Sequence, residues 1–211
     1  MKKLAAILFL FPTLAFAQLI LPLSASKWGI YWDNVPQPYN LFTGELAFDF
    51  AQHSSGLWDG YLLTGVGTKR APAKLSGTMV ITLACISAPS VVFRWDSESG
   101  NVGCPTPANA RPIIYSGLKS LVKSGSDRWW AHSIAYTLTN GTATLTIPLT
   151  PGNWSNVNGV LDVNNPTGFQ ACLNSVSWVG MTFGGGCFYG HGVNVEGGNA
   201  QFIISDFRIV P

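Results

Sequence analysis

The sequence predicts an all-β protein, an antiparallel jelly-roll β-sandwich with little helix. Three observations carry this expectation. Apolar and polar residues alternate over several short runs, the period of a half-buried strand. Twenty-three glycines and thirteen prolines punctuate the chain at the short intervals typical of strand and turn. After the first twenty residues, no helical spacing of apolar residues extends beyond one or two turns. Seven or eight strands are expected.

The chain opens with a targeting signal. Met1-Lys2-Lys3 is basic, Leu4 to Leu14 is apolar, and Ala15-Phe16-Ala17 has the small-x-small form of a cleavage site. Residues 1–17 therefore read as a compact signal peptide of bacterial type. The apolar run falls short of the roughly 20 residues a spanning helix needs. The expected product is secreted, extracellular or periplasmic, with no integral membrane segment.

Residues 18–40 form an arm containing Pro22, Pro36 and Pro38, with Trp28 and Trp32 as anchors over the sheet surface. Residues 41–211 form a single sandwich domain. In the first strand Leu46, Phe48 and Phe50 alternate with Glu45, Ala47 and Asp49. Thr78 to Ile86 is rich in β-branched residues, and Val91 to Trp95 is a short strand. Ser97 to Arg111 reads as a long loop, because Gly100, Gly103, Pro105 and Pro107 interrupt it. Ile113 to Val122 is ambiguous: helical spacing with Gly117 in the middle allows one or two turns.

Trp129 to Leu138 reads as a strand, with one of the paired tryptophans facing the core and the other the opposite surface. Asn140-Gly141 is a hairpin signal. Thr142 to Leu149 follows, and Pro148 assigns its end to an edge or a bend. Phe169 to Leu173 is a short turn, Ser175 to Phe183 a strand, and Ala200 to Val210 the closing strand. Phe93, Trp95 and Trp178 are expected in the core.

Charge narrows the possible partners. Removing Lys2 and Lys3 leaves ten basic against ten acidic residues. A neutral chain offers no basic face for nucleic acid or an anionic membrane. Charged residues make up 10% of the chain, well below the usual quarter. A polar, uncharged, aromatic-rich surface suits a neutral glycan.

Cys85, Cys104, Cys172 and Cys187 suggest two disulfides in an oxidising compartment, with three possible pairings. The local pairing, Cys85–Cys104 with Cys172–Cys187, closes the shortest loops. Against it, a strand over 176–183 carries the chain roughly 25 Å from Cys172. Zinc is disfavoured, because no Cys-x-x-Cys spacing is present.

Residues 184–198 hold the densest glycine of the chain, framing Cys187, Phe188, Tyr189 and His191. Glycine at this density is costly to order, and loops on rigid scaffolds often carry function. Sugar recognition needs flat aromatic surface and a few fixed polar groups. Trp58, Asp59, Tyr61, Tyr189 and His191 supply both and form the candidate ligand site, with rings stacking and Asp59 and His191 bonding hydroxyls. Trp154 follows a Pro-Gly-Asn turn at a sandwich end.

Paired carboxylates for glycoside hydrolysis are hard to assign among Glu45, Asp49, Asp96, Glu98 and Glu196. No Gly-x-Ser-x-Gly elbow is present either. Catalysis is therefore less favoured than binding. A structural or adhesive subunit that assembles through its edge strands or its arm is the other alternative.

The segments ATLTIPLTPGNWSNVNG, FQACLNSVSWVGMTFGGG and AQFIISDFRIV, within 142–210, resemble the galactose-binding-like jelly rolls of many carbohydrate-binding modules. The matching positions are Trp154, Gly180 and Ser205-Asp206. The resemblance implies a lectin-like sandwich and a structural calcium ion at Asp206. Ser205 stands where that family has a second aspartate.

Overall fold

The computed structural model describes residues 18–32, 35–36, 46–67, 71–96, 107–116, 127–187 and 189–211. Residues 1–17, where the sequence predicts a signal peptide, and Cys104 lie outside that set. In chain order the strands are β1 (Leu19–Ile20), β2 (Trp28–Trp32), β3 (Val35–Pro36), β4 (Leu46–Asp49) and β5 (Tyr61–Gly65). Next come β6 (Thr78–Ser87), β7 (Val92–Trp95), β8 (Asn109–Tyr115), β9 (Arg128–Ala131) and β10 (Tyr136–Thr137). The last are β11 (Gly141–Pro148), β12 (Trp154–Asn156), β13 (Trp178–Gly184), β14 (Val193–Glu196) and β15 (Ala200–Val210). Among the described residues one α-helix, α1 (Pro166–Leu173), begins at Asn165, whose side chain accepts the Gly168 N–H.

Two antiparallel sheets face each other, so the protein is an all-β sandwich. The larger runs β12-β9-β8-β13-β5-β2-β3, with β10 also on β8. The smaller runs β1-β15-β6-β11, with β4 also on β15. A short pair, β7 and β14, lies at one end. β6 alternates as expected, burying Met79, Ile81, Leu83 and Cys85. β15 buries Ala200, Phe202 and Ile204, then Phe207 and Ile209. The register shift between Ile204 and Asp206 resets its phase, so that both halves face inward.

The two sheets meet on a phenylalanine cluster. Phe48 of β4 and Phe202 of β15 both pack on Phe183 of β13, at 5.6 and 5.1 Å between ring centres and close to edge-on. Edge-to-face pairs add about 1 kcal/mol each beyond the area they bury.

Four expectations change here. The arm is not draped over a surface: β1 pairs with β15 and β2 with β5, placing it in both sheets. Residues 109–115 are neither loop nor helix but a central strand, buried at every position. Trp129 to Leu138 is two strands with a break. Asn140-Gly141 makes no hairpin, because β10 pairs with β8 and β11 with β6; the turn carries the chain from one sheet to the other. Pro148 does end a strand that pairs on one side only among the described strands.

The cysteine pairing is corrected too. Cys85 and Cys172 are free thiols, each 1% exposed in the core, so neither local bridge exists. Cys187 is disulfide-bonded. Burial pushes both free thiols from 9.0 up to about 12. Iodoacetamide at pH 8 should leave the native protein unlabelled and, in guanidinium without reductant, add two labels. Between pH 9 and about 12 the unfolded thiols lose protons that the native ones keep. Stability should therefore fall as pH rises through that window. Labelling of the native protein at pH 8 would contradict the burial.

Candidate functional site

The larger sheet has two apolar faces. One packs on the smaller sheet through Ile30, Leu62, Val179, Met181, Ile114 and Trp129. Strand residues of the opposite phase build a second cluster on the outer face, made of Tyr61, Leu63, Ile113, Tyr115 and Trp130. Tyr31, Trp178, Tyr189 and Val157 pack around it. Six aromatic rings thus share one face away from the core.

Register fixes how they sit. A cross-strand row runs Ser155, Trp130, Ile113, Gly180, Leu63, Gly29. Beside it runs Arg128, Tyr115, Trp178, Gly65. On its other side lie Arg111, Thr182, Tyr61 and Tyr31. Glycines at the centre and edge of the rows leave the middle of the face low, with rings standing on its flanks.

The glycine-rich connection between β13 and β14 folds back over this face. Tyr189 stands edge-on to Trp130 at 5.7 Å between ring centres, and the Arg111 guanidinium lies 4.1 Å above the Tyr189 ring. Gly190 has φ +78°, and a Cβ there would overlap the Tyr61 hydroxyl. Only glycine combines that backbone with so close an approach.

Two arginines reach the face, in different states. Arg111 Nε donates to Asn109 Oδ1 at 2.9 Å, and its Nη1 donates to the carbonyls of Ala131 and His132. Ala131 lies opposite Pro112, one step beyond the Ile113–Trp130 pair. Arg111 therefore supplies a donor where the proline nitrogen has none. Burial pulls its guanidinium below its ordinary pKa, against the opposing effect of Tyr189.

Arg128 Nη1 donates to the Tyr61 hydroxyl at 3.1 Å, and its charge sits near the Tyr61 and Trp130 rings. Its Nε is buried without a hydrogen-bond partner, as are Trp130 Nε1 and Ser155 Oγ. All three unpartnered groups belong to one corner of the outer face. None of the described strand residues on this face is acidic.

The predicted site residues are only partly brought together. Tyr61 and Tyr189 both belong to the outer-face cluster, Tyr61 as a buried ring under the loop. Asp59 is corrected: it is fully buried, its Oδ2 accepts the Ala51 N–H at 2.8 Å, and its backbone bridges Val193. A carboxylate so placed braces the β14 end of the sandwich and is not presented to a ligand. Trp58 is half-buried there, edge-on to His53 at 6.1 Å, apart from the outer-face rings. His191 is exposed on the loop, and Phe188 lies outside the described residues.

Trp154 and Trp178 are corrected as well. Trp154 is fully buried against Phe169 of α1, and its Nε1 donates to the Pro148 carbonyl at 2.9 Å. Trp178 is half-buried on the outer face. Asp206, the position where the resemblance implies calcium, lies in β15. Its carboxylate accepts from Arg208 Nη1, and among the described residues no three His, Cys, Asp or Glu converge. Of the candidate acids, Glu196 pairs with Arg94 at 3.1 Å on the surface, and Asp49 is exposed and accepts from Gln201 at its limit, 3.4 Å.

No known protein family and no curated protein matches the chain. Among solved structures, the L4b domain of human laminin alpha-2 is similar, with TM-score 0.51 and 11% identity over 92% of this chain and 98% of that one. A thermostable cellulase derived from the Cel12A cellulase of Rhodothermus marinus aligns over 90% of this chain and 99% of its own. Its identity is 11% and its TM-score 0.30, too low to carry an argument. The laminin likeness shows the fold alone. Among the described residues, no helix is long and apolar enough to cross a membrane.

Proposed function

We propose that this is an exported, non-catalytic glycan-binding protein whose site is the aromatic outer face of the larger sheet. One observation carries the reading: six rings share that face, and beside them three buried donor groups have no partner. Flat rings suit the C–H faces of a pyranose, and fixed donors suit ring and hydroxyl oxygens. An unsatisfied buried polar group costs about 1–3 kcal/mol, so three in one corner favour an outside acceptor. Without a carboxylate among the described strand residues of this face, two-carboxylate hydrolysis finds no support there.

A glycan array probed with the purified protein tests this reading. Tyr189→Ala should weaken any hit at least tenfold while the melting temperature moves little, because the ring is half-buried and its loss opens no core cavity. Unchanged affinity would remove the glycine loop from the site. A blank array from folded protein would favour the structural or adhesive alternative. Assembly through β11, whose outer edge is unpaired among the described strands, would then show as oligomers in sedimentation.

A further inference from the structure

Resting on that reading, we propose that the corner formed by Arg128, Trp130 and Ser155 takes the carboxylate of an acidic sugar, a uronic acid within the glycan. Whole-chain neutrality suggests a neutral ligand, but the charge that matters is local. Two arginines approach this face, and none of its described strand residues is acidic. Arg111 has its Nε and Nη1 taken by Asn109 and two backbone carbonyls, with Tyr189 packed on its guanidinium. Arg128 is less engaged. Its Nη1 is held by Tyr61, it makes no ion pair with any described residue, and its Nε has no partner although the residue is 7% exposed.

A buried guanidinium without a counter-ion is expensive. An anchored one with Nε unused is oriented to offer its fork to a carboxylate. Trp130 is 5% and Ser155 1% exposed, and these two are direct cross-strand partners. Arg128 lies two residues from Trp130 on the same strand, hence on the same face. Trp130 Nε1 can only donate, and the Ser155 hydroxyl is able to. Three unpartnered donors on neighbouring residues of one face suit an oxyanion, and the rings beside them suit a sugar as its carrier. Tyr115, directly opposite Arg128, is held protonated because burial raises its pKa, with Arg128 opposing and Asp127 reinforcing the shift. It supplies no counter-charge at neutral pH.

The test uses uronate oligosaccharides and the same oligosaccharides with their carboxyls reduced to primary alcohols, titrated calorimetrically into the purified protein. The uronate form should bind at least tenfold more tightly, with an advantage that shrinks as salt rises. Arg128→Met keeps the stem and removes the charge, and should abolish the preference for the uronate over the reduced form. If Arg128→Met does not fold, Ser155→Ala and the salt series on the unaltered protein carry the same readout. Equal binding of the two forms would overturn the acidic-sugar assignment and leave the glycan reading standing. Binding of neither form would overturn both.

Discussion

Gly180→Ala should lower the melting temperature by about 8–16 °C, the equivalent of about 4 kcal/mol for a domain of this size. Gly180 lies mid-strand in β13, between Leu63 of β5 and Ile113 of β8. A Cβ at this position would penetrate the Leu62 carbonyl oxygen. That oxygen belongs to the backbone of a central strand and cannot swing aside as a side chain does. Relief requires β5 to shift relative to β13, and that shift would disturb Leu62 and the core on one side and Tyr61 and Leu63 on the other. Ordinary overpacking costs about 1–3 kcal/mol; direct overlap with the backbone of a central strand puts this case above that range. A differential scan of wild type against variant measures it. A shift under about 3 °C would mean that the two strands lie further apart than described.

Asp162→Ala should cost about 3 kcal/mol, or roughly 6–12 °C. The Asp162 carboxylate is fully buried and accepts four backbone N–H groups. Gly152 reaches both oxygens at 2.9 Å, and Asn153, Trp154 and Val163 follow at 3.3, 3.1 and 2.8 Å. It is the hub that folds the turn entering β12. Alanine would strand those donors where water is scarce. Asp162→Asn keeps one acceptor oxygen and should recover about half of the loss, a graded pattern that mere loss of volume would not give. β12 carries Ser155, so the same variants should also weaken glycan binding in proportion to their unfolding. Equal melting temperatures for Asp162→Ala and wild type would remove the carboxylate from this role.

Much of the small sheet was legible in the sequence. β6, β11 and β15 each have one buried face, and that burial writes itself as alternation. β8 was not legible, for the converse reason. Both faces of Asn109–Tyr115 are buried, so its apolar residues run on without a period of two, and Arg111 and Pro112 imitate a loop. Only the finished sheet shows why they are tolerated: the guanidinium supplies the donor that the proline lacks.

The site was half legible for a related reason. Tyr61 and Tyr189 stood out beside glycines. Tyr31, Tyr115 and Trp178 did not, because a strand apolar on both faces hides which ring belongs to which face. The usable signal was Trp129-Trp130, where adjacent rings must point apart, one into the core and one onto the site. Asp59 misled because a carboxylate between aromatic residues fits a buried brace as well as a binding rim.

The placement of β15 has a consequence for how the molecule comes to exist. This strand, late in the chain, lies between β6 on one flank and β4 and β1 on the other, pairing Leu19 with Ile209 across nearly the whole length. The smaller sheet has no centre until synthesis has reached Val210. Most of its ladder is non-local, so its folding belongs in the slow class of high contact order, milliseconds to seconds. During that delay its partner strands wait with open edges. A chain that must be threaded through a membrane before it folds would gain from such lateness.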